Sequence, residues 1–367
     1  MKKLISLLIS IGLFLGATGC FGSDQKNKTG DVLKVGLILP ITGSAASVGT
    51  SARNAAEMSY GSLPSATQKK IDMVFEDNQL SPANSVNIFQ KLVSVDKVGA
   101  VVTITSGPSN AVAPLAEEKK MPLIAVAADR KIVEGRNYAV KHWVTPEEEM
   151  EVIIPEIKKR GYQKIAMIIA QHDGYVYFMN DFKERIKKEG IAGRFVMEEW
   201  FNPDIRDFRS FIAKAKEKQA DAIGVLLLSG QIGLFAKQTR EMGLDVPLFG
   251  IDYFEDKKEL EAAGGALEGQ WYVCADDADQ RFYQEYEQKY QSFPSLGAAN
   301  MYDIIQIIGE SVEKYGSDSE KLNWYLHNLK DFHGVVGTYS ASGKNDFTLP
   351  AEIKVIKNGK FEPLYPK

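Results

Sequence analysis

A serine, a glycine and a helix start meet in the stretch Thr105-Ser106-Gly107-Pro108-Ser109, and together they suit an anion. Ser106 offers a hydroxyl, Gly107 leaves room for a ligand to approach, and Ser109 is placed to cap a helix over residues 110–120. The first turn of such a helix has N–H groups without intrahelical partners and carries the positive end of the dipole, which favours a carboxylate. Other chemistry is missing from the residue patterns. No G-x-G-x-x-G follows the first apolar run and no G-x-x-x-x-G-K-[ST] occurs, which excludes the usual dinucleotide and nucleotide phosphate loops. His142, His172, His327 and His333 are dispersed without metal-ligand spacing, so neither a metal nor another cofactor is expected. Ser106 and Ser229 lack the nucleophile-elbow context, and the neighbours His172 and Asp173 diverge as adjacent side chains do. No catalytic residue is assigned.

The elements that hold this loop read as a repeated strand–helix pattern. Ala100 to Thr103 and Leu123 to Val126 are short apolar strands flanking the loop and its helix, an arrangement that makes them parallel and puts the loop at the carboxyl edge of a sheet. Val32 to Leu39 is a first strand, followed by a helix from near Gly49 to before Leu63, a strand Ile71 to Glu76, and a helix opened by Ser81-Pro82. After Tyr138 to Trp143 the pattern restarts. Thr145-Pro146 opens a helix expected to kink or to have a broken first turn at Pro155, and strands Lys164 to Ala170, Arg194 to Trp200, Ala222 to Leu228 and Val246 to Gly250 alternate with further helices. The expected fold class is α/β, with two doubly wound parallel-sheet, Rossmann-like lobes facing each other across a cleft and ligand at the carboxyl edges of both sheets. The last hundred residues, with helices Gln280 to Tyr290, Met301 to Lys314 and Leu322 to Leu329 and a hairpin turn at Asn358-Gly359, hold too few strands for a third domain and are added to the two lobes.

The chain has 367 residues, 44% apolar, with a net charge of −4 and no long basic run, which fits two globular domains and gives no sign of nucleic-acid binding. Lys2 and Lys3 precede an apolar segment, Leu4 to Leu15, with the length of a signal-peptide core and too short to span a bilayer. Gly16-Ala17-Thr18-Gly19-Cys20 looks like a bacterial lipobox, with Cys20 as the lipidated first residue of the mature chain; an ordinary secretory signal is the other reading. Residues 1–20 are then the leader and 21–31 a polar tether. The remaining cysteine, Cys274, lies in an apolar run and is expected to be a small buried hydrophobe.

Several motifs run through the mature chain in a fixed order: Pro40-x-Thr42-Gly43-x-x-Ala46-x-x-Gly49 followed by Arg53-Asn54, then Glu76-Asp77-Asn78-Gln79-x-x-Pro82, Ser106 through Pro122, Gly243-x-x-x-Pro247-Leu248-x-Gly250, Met301-Tyr302-Asp303, and Phe332-x-Gly334-Val335-x-Gly337. In these the sequence resembles the extracytoplasmic solute-binding proteins of branched-chain amino-acid ABC importers, the type I periplasmic binding proteins of the leucine/isoleucine/valine group. The resemblance implies a three-crossover hinge, with lobe one at Val32 to Thr145 plus Asp276 to Asp331 and lobe two at Pro146 to Ala275 plus Phe332 to Lys367. It implies that Ser106, beside Gly107, binds a ligand carboxylate, that Ala127 and Asp129 add contacts from a strand end, that Tyr175 or Tyr177 closes over the ligand, and that Asp252 takes its ammonium. Three positions depart from the family pattern. Residue 129 is usually Thr or Ser, so Asp129 is either a ligand group or a cap for the turn after it; the first-loop aromatic is replaced by Val48; and the disulfide of some relatives has no counterpart. The implied function is a lipid-anchored, exported monomer, attached to the cell envelope only through its lipid, that delivers an amino acid to ABC permease and ATPase subunits. The alternatives are the same fold binding an organic acid or amide, or serving as the sensing subunit of a receptor.

Overall fold

The structure, a computed structural model, describes residues 32–43, 45–171, 173–276 and 278–365. The expected leader, Cys20, the tether and His172 lie outside the described residues. Five apolar runs, β1 (Leu33–Leu39), β2 (Ile71–Asp77), β3 (Ala100–Ile104), β4 (Leu123–Val126) and β5 (Ala139–Lys141), form one parallel sheet in the order β2-β1-β3-β4-β5. β3, β4 and β5 are buried along their whole length, which is why they are apolar at nearly every position rather than at alternate ones, Thr103 and Lys141 being the exceptions. A second set, β6 (Ile165–Ala170), β7 (Phe195–Phe201), β8 (Ala222–Leu226), β9 (Leu248–Ile251) and β10 (Trp271–Ala275), is likewise parallel. After the short hairpin β11 (Phe332–Gly334) and β12 (Gly337–Tyr339), the antiparallel pair β13 (Ala351–Lys357) and β14 (Lys360–Pro363) extends the second sheet beside β10, giving β14-β13-β10-β9-β8-β6-β7. Cys274 is buried in that sheet's core, as its apolar setting predicts.

The crossing segments lie side by side. The Lys141 N–H donates to the Asn345 carbonyl at 2.9 Å, and the Asp276 N–H to that of Pro350 at 2.9 Å. The third crossing falls later than the boundary expected at Phe332. Phe332, Val336, Tyr339, Phe347 and Leu349 all pack in the core of the first sheet, and the chain joins the second only at Ala351. The physical reason is Asp303, whose carboxylate accepts from the N–H groups of Val335 (2.7 Å) and Val336 (3.2 Å) and from the Tyr339 hydroxyl (3.0 Å), tying the hairpin to the helix Ala298–Tyr315. A Cβ at Gly334 would collide with that carboxylate, which explains the glycine in Phe332-x-Gly334.

Two local expectations also give way. The helix after β3 starts at Ser106 instead of Asn110, because Pro108 fits its first turn, where the missing N–H would have had no partner. Ser109 is therefore inside the helix, fully buried, with its hydroxyl 2.8 Å from that of Thr103 and donating to the Thr105 carbonyl at 2.6 Å. The helix Pro146–Arg160 runs unbroken through Pro155. Pro155 removes a single hydrogen bond, whereas the Thr145/Glu148 capping box, the left-handed Gly161 and the buried Ile153, Ile154 and Ile157 hold the helix from both ends and one face.

Candidate functional site

The loop after β3 and the strand ends beside it bring Ser106, Gly107, Ala127 and Asp129 to one edge of the first sheet. Ser106 opens the helix Ser106–Lys119, and its Oγ accepts from the Asp129 N–H at 3.4 Å. Gly107 is exposed, and an added Cβ would meet only Pro82, at 3.6 Å, so the approach to the helix terminus is open. Ala127 is buried directly after β4. Asp129 is also buried, and both of its oxygens are engaged: Oδ1 accepts from the Lys131 N–H of its own turn at 2.9 Å and Oδ2 from the Asn110 amide of the helix Ser106–Lys119 at 2.6 Å. Of its two expected roles, the cap is the one these bonds perform. Thr105 was not anticipated. Its φ of +74° strains a β-branched residue, and its Oγ1 is buried without a hydrogen-bond partner, both features of loops held for function. No residue preference announces a positive φ at threonine.

At the carboxyl edge of the second sheet stand Asp252, Tyr253 and Tyr175. Asp252 follows β9 immediately. Burial, reinforced by the Glu255 carboxylate, pushes its carboxyl up to about 7 against a hydrogen bond from the Tyr253 backbone. Tyr175 is buried, donates its hydroxyl to the Leu227 carbonyl just past β8 at 2.8 Å, and meets the half-exposed Tyr253 ring edge-on with centroids 6.5 Å apart. Burial holds the Tyr175 phenol well above its ordinary value, with Tyr253, Asp252 and Glu149 adding to the effect. Tyr177, the other aromatic expected near the cleft, is only partly buried.

Glu149 is the second residue that reading by type missed. The run Glu147-Glu148-Glu149 looks like a solvated first turn, where acids suit the helix dipole, and nothing in it separates the buried position from its neighbours. Yet Glu149 is buried, without a hydrogen bond or ion pair to another described side chain, and burial followed by the Asp252 charge holds its carboxyl well above the ordinary range. The buried Lys141 ties these acids to the first sheet: its Nζ donates to the Ala128 carbonyl at 3.0 Å, next to Asp129, while its charge acts on Asp346, Glu148 and Glu149. Among the described residues no group of acids, histidines and cysteines has the geometry to hold a metal ion.

A family model described as periplasmic binding protein matches residues 32–355. The chain belongs to the periplasmic binding protein family. That family is one of binding proteins rather than enzymes. Leu/Ile/Val-binding protein homolog 3 of Brucella melitensis is 22% identical over 331 residues, covering 87% of this chain and 89% of that protein. The branched-chain amino acid transporter substrate binding protein of Streptococcus pneumoniae, solved with isoleucine, superposes with a TM-score of 0.75 at 25% identity, covering 91% of this chain and 100% of that one. A solute binding protein of an ABC transporter from Rhodopseudomonas palustris, solved with 3,4-dihydroxy benzoic acid, gives 0.75 at 26% identity over 91% and 96%. The periplasmic binding protein fold thus carries both an amino acid and an aromatic acid in proteins equally similar to this chain.

Proposed function

We propose that the protein is the exported solute-binding subunit of an ABC importer and captures an α-amino acid between its two lobes. The observation that carries the reading is the polarity of the two strand-end sites. In the first lobe Ser106 and the open turn of the helix Ser106–Lys119 supply donors for a carboxylate; in the second the desolvated Asp252 carboxyl has no cation among the influences on it and accepts an ammonium. Binding relatives such as the isoleucine-bound streptococcal protein support an amino acid, and the dihydroxybenzoate-bound protein marks the alternative. An aromatic acid would satisfy Ser106 but leave the Asp252 carboxyl facing it with no cation, which is unfavourable when both are buried. Ala127 adds a backbone contact beside the carboxylate, Tyr175 and Tyr253 form the wall of the second lobe, and Asp129 shapes the loop. Lipidation at Cys20 holds the protein to the envelope, where it meets permease and ATPase subunits.

Calorimetry of the full chain against leucine, alanine and benzoate tests the reading. Binding of an amino acid that disappears in Asp252→Ala supports it. Tight binding of benzoate that survives Asp252→Ala promotes the aromatic-acid reading instead.

A further inference from the structure

A buried cation stands behind the loop suited to a ligand carboxylate. Lys141 closes β5, the strand next to β4, and lies opposite Ala125 in the register of that pair. Its backbone belongs to the joint between the lobes, where its N–H donates to the Asn345 carbonyl at 2.9 Å and it bridges Asp346. From there the side chain reaches past Ala125 and donates from Nζ to the Ala128 carbonyl at 3.0 Å. Lys141 is 1% exposed, and among the described residues its ammonium makes this hydrogen bond and no ion pair. Burying an ammonium with so few partners is costly, and an apolar side chain like those of Ala139 and Val140 before it would fill the place without that cost. The bonded carbonyl belongs to the Ala128–Asp129 peptide, whose N–H faces the Ser106 Oγ at 3.4 Å. In a planar peptide the carbonyl and the N–H point to opposite sides, so fixing one aims the other. A cation on the carbonyl oxygen also polarises the amide and strengthens its N–H as a donor. At 3.4 Å the neutral hydroxyl of Ser106 is a weak acceptor, and a carboxylate arriving there is a stronger one.

Resting on the placement of a ligand carboxylate at Ser106, which the amino-acid and aromatic-acid readings share, we propose that Lys141 is a positioning residue for the carboxylate site. Its buried ammonium, rooted in the joint between the lobes, holds the Ala128–Asp129 peptide so that the peptide N–H is aimed at Ser106 and at the carboxylate bound there. Lys141 does not touch the ligand; it acts through the peptide, by orientation and by polarisation. A ligand with a charged carboxylate gains most from that aimed donor, whereas the neutral carbonyl of the corresponding amide gains little. Loss of Lys141 therefore lowers the preference for acid over amide, which a lysine that merely fills space would leave unchanged.

The unfolding temperature of the full chain, read with each protein amino acid and with benzoate, selects the acid that stabilises it most. Calorimetry then compares that acid with its amide on the wild type, Lys141→Met, Ser106→Ala and the double variant. The wild type is expected to prefer the acid, and the acid-to-amide affinity ratio to fall at least tenfold in Lys141→Met, which keeps the volume and removes the donor. The double variant is expected to lose less than the two single losses multiplied, because both residues hold the same peptide. Acid and amide weakened alike in Lys141→Met, with the ratio kept, overturns the proposal. The Asp129 amide resonance of the wild type gives a reading that does not depend on any variant folding. It should move on binding of the acid and less on binding of the amide, and a resonance unmoved by bound acid overturns the proposal. Benzoate selected over every amino acid overturns the amino-acid reading alone, and benzoate with benzamide then tests Lys141. A wild type that binds acid and amide equally, or neither, overturns both.

Discussion

Ser106 and Asp252 are single residues with opposite tasks, and their removal should cost different amounts. Ser106→Ala deletes one charge-assisted hydrogen bond while the helix N–H groups remain, so amino-acid affinity should fall by about 1 to 3 kcal/mol. Asp252→Ala leaves a desolvated ammonium without its counter-ion, and the loss should reach about 3 to 5 kcal/mol, below detection for a moderate binder. Equal, small effects of the two substitutions would contradict this division of labour. The Asp252 carboxyl also makes binding depend on pH. Its folded value near 7 lies above the ordinary 3.8, so the free protein holds a proton there that an incoming ammonium must displace. Apparent affinity should therefore rise with pH and level off above neutrality, with proton release on binding below it. The Tyr175 and Tyr253 phenols, held above their ordinary value by burial, stay neutral throughout. Titrations in buffers of different ionisation enthalpy measure the released proton directly; binding that is flat from pH 5 to 8 would remove Asp252 from the ligand.

At the level of elements, the helix Ala298–Tyr315 and the hairpin β11–β12 depend on one carboxylate. Asp303→Ala would leave the Val335 and Val336 N–H groups and the Tyr339 hydroxyl without their acceptor in a buried setting, and Tyr339 in turn bonds the His142 ring at 2.8 Å. The protein should lose about 3 kcal/mol or more, read from the midpoint of urea unfolding, and a shift worth less than about 1 kcal/mol would show that water replaces those bonds. This contact also explains a misplaced boundary. Phe332, Val336 and Tyr339 are apolar enough for either core, and residue type alone does not say which helix offers them an acceptor. By contrast the central strands of both sheets are legible as nearly unbroken apolar runs, because they bury both faces. Helix starts fared less well where a serine was buried. Ser109 has the residue type of a cap, but the helix had already begun at Ser106.

For the whole molecule, three crossing segments bonded side by side form a narrow joint between two separately packed cores, the geometry of hinge bending. Saturating ligand should reduce the radius of gyration in solution scattering, and an unchanged radius would argue for lobes already fixed in one arrangement. If Cys20 carries lipid, Cys20→Ala should leave the membrane fraction and appear as soluble exported protein; retention of the variant on membranes would count against a lipobox. By itself the sequence determined the strand–helix alternation, the pairing of two similar lobes, and the anion-suited loop at Ser106, because each follows from local periodicity and from which residues tolerate a helix terminus. Only the tertiary structure decided how deeply each acid is buried and what it bonds. Asp129 and Glu149 look alike as residue types, yet Asp129 caps the turn after it and accepts from the Asn110 amide of the neighbouring helix, while Glu149 is buried with no hydrogen bond or ion pair to another described side chain. Successive helix residues differ by about 100° in direction, so which of three adjacent glutamates is buried is set by what packs over the helix and by nothing in the run itself.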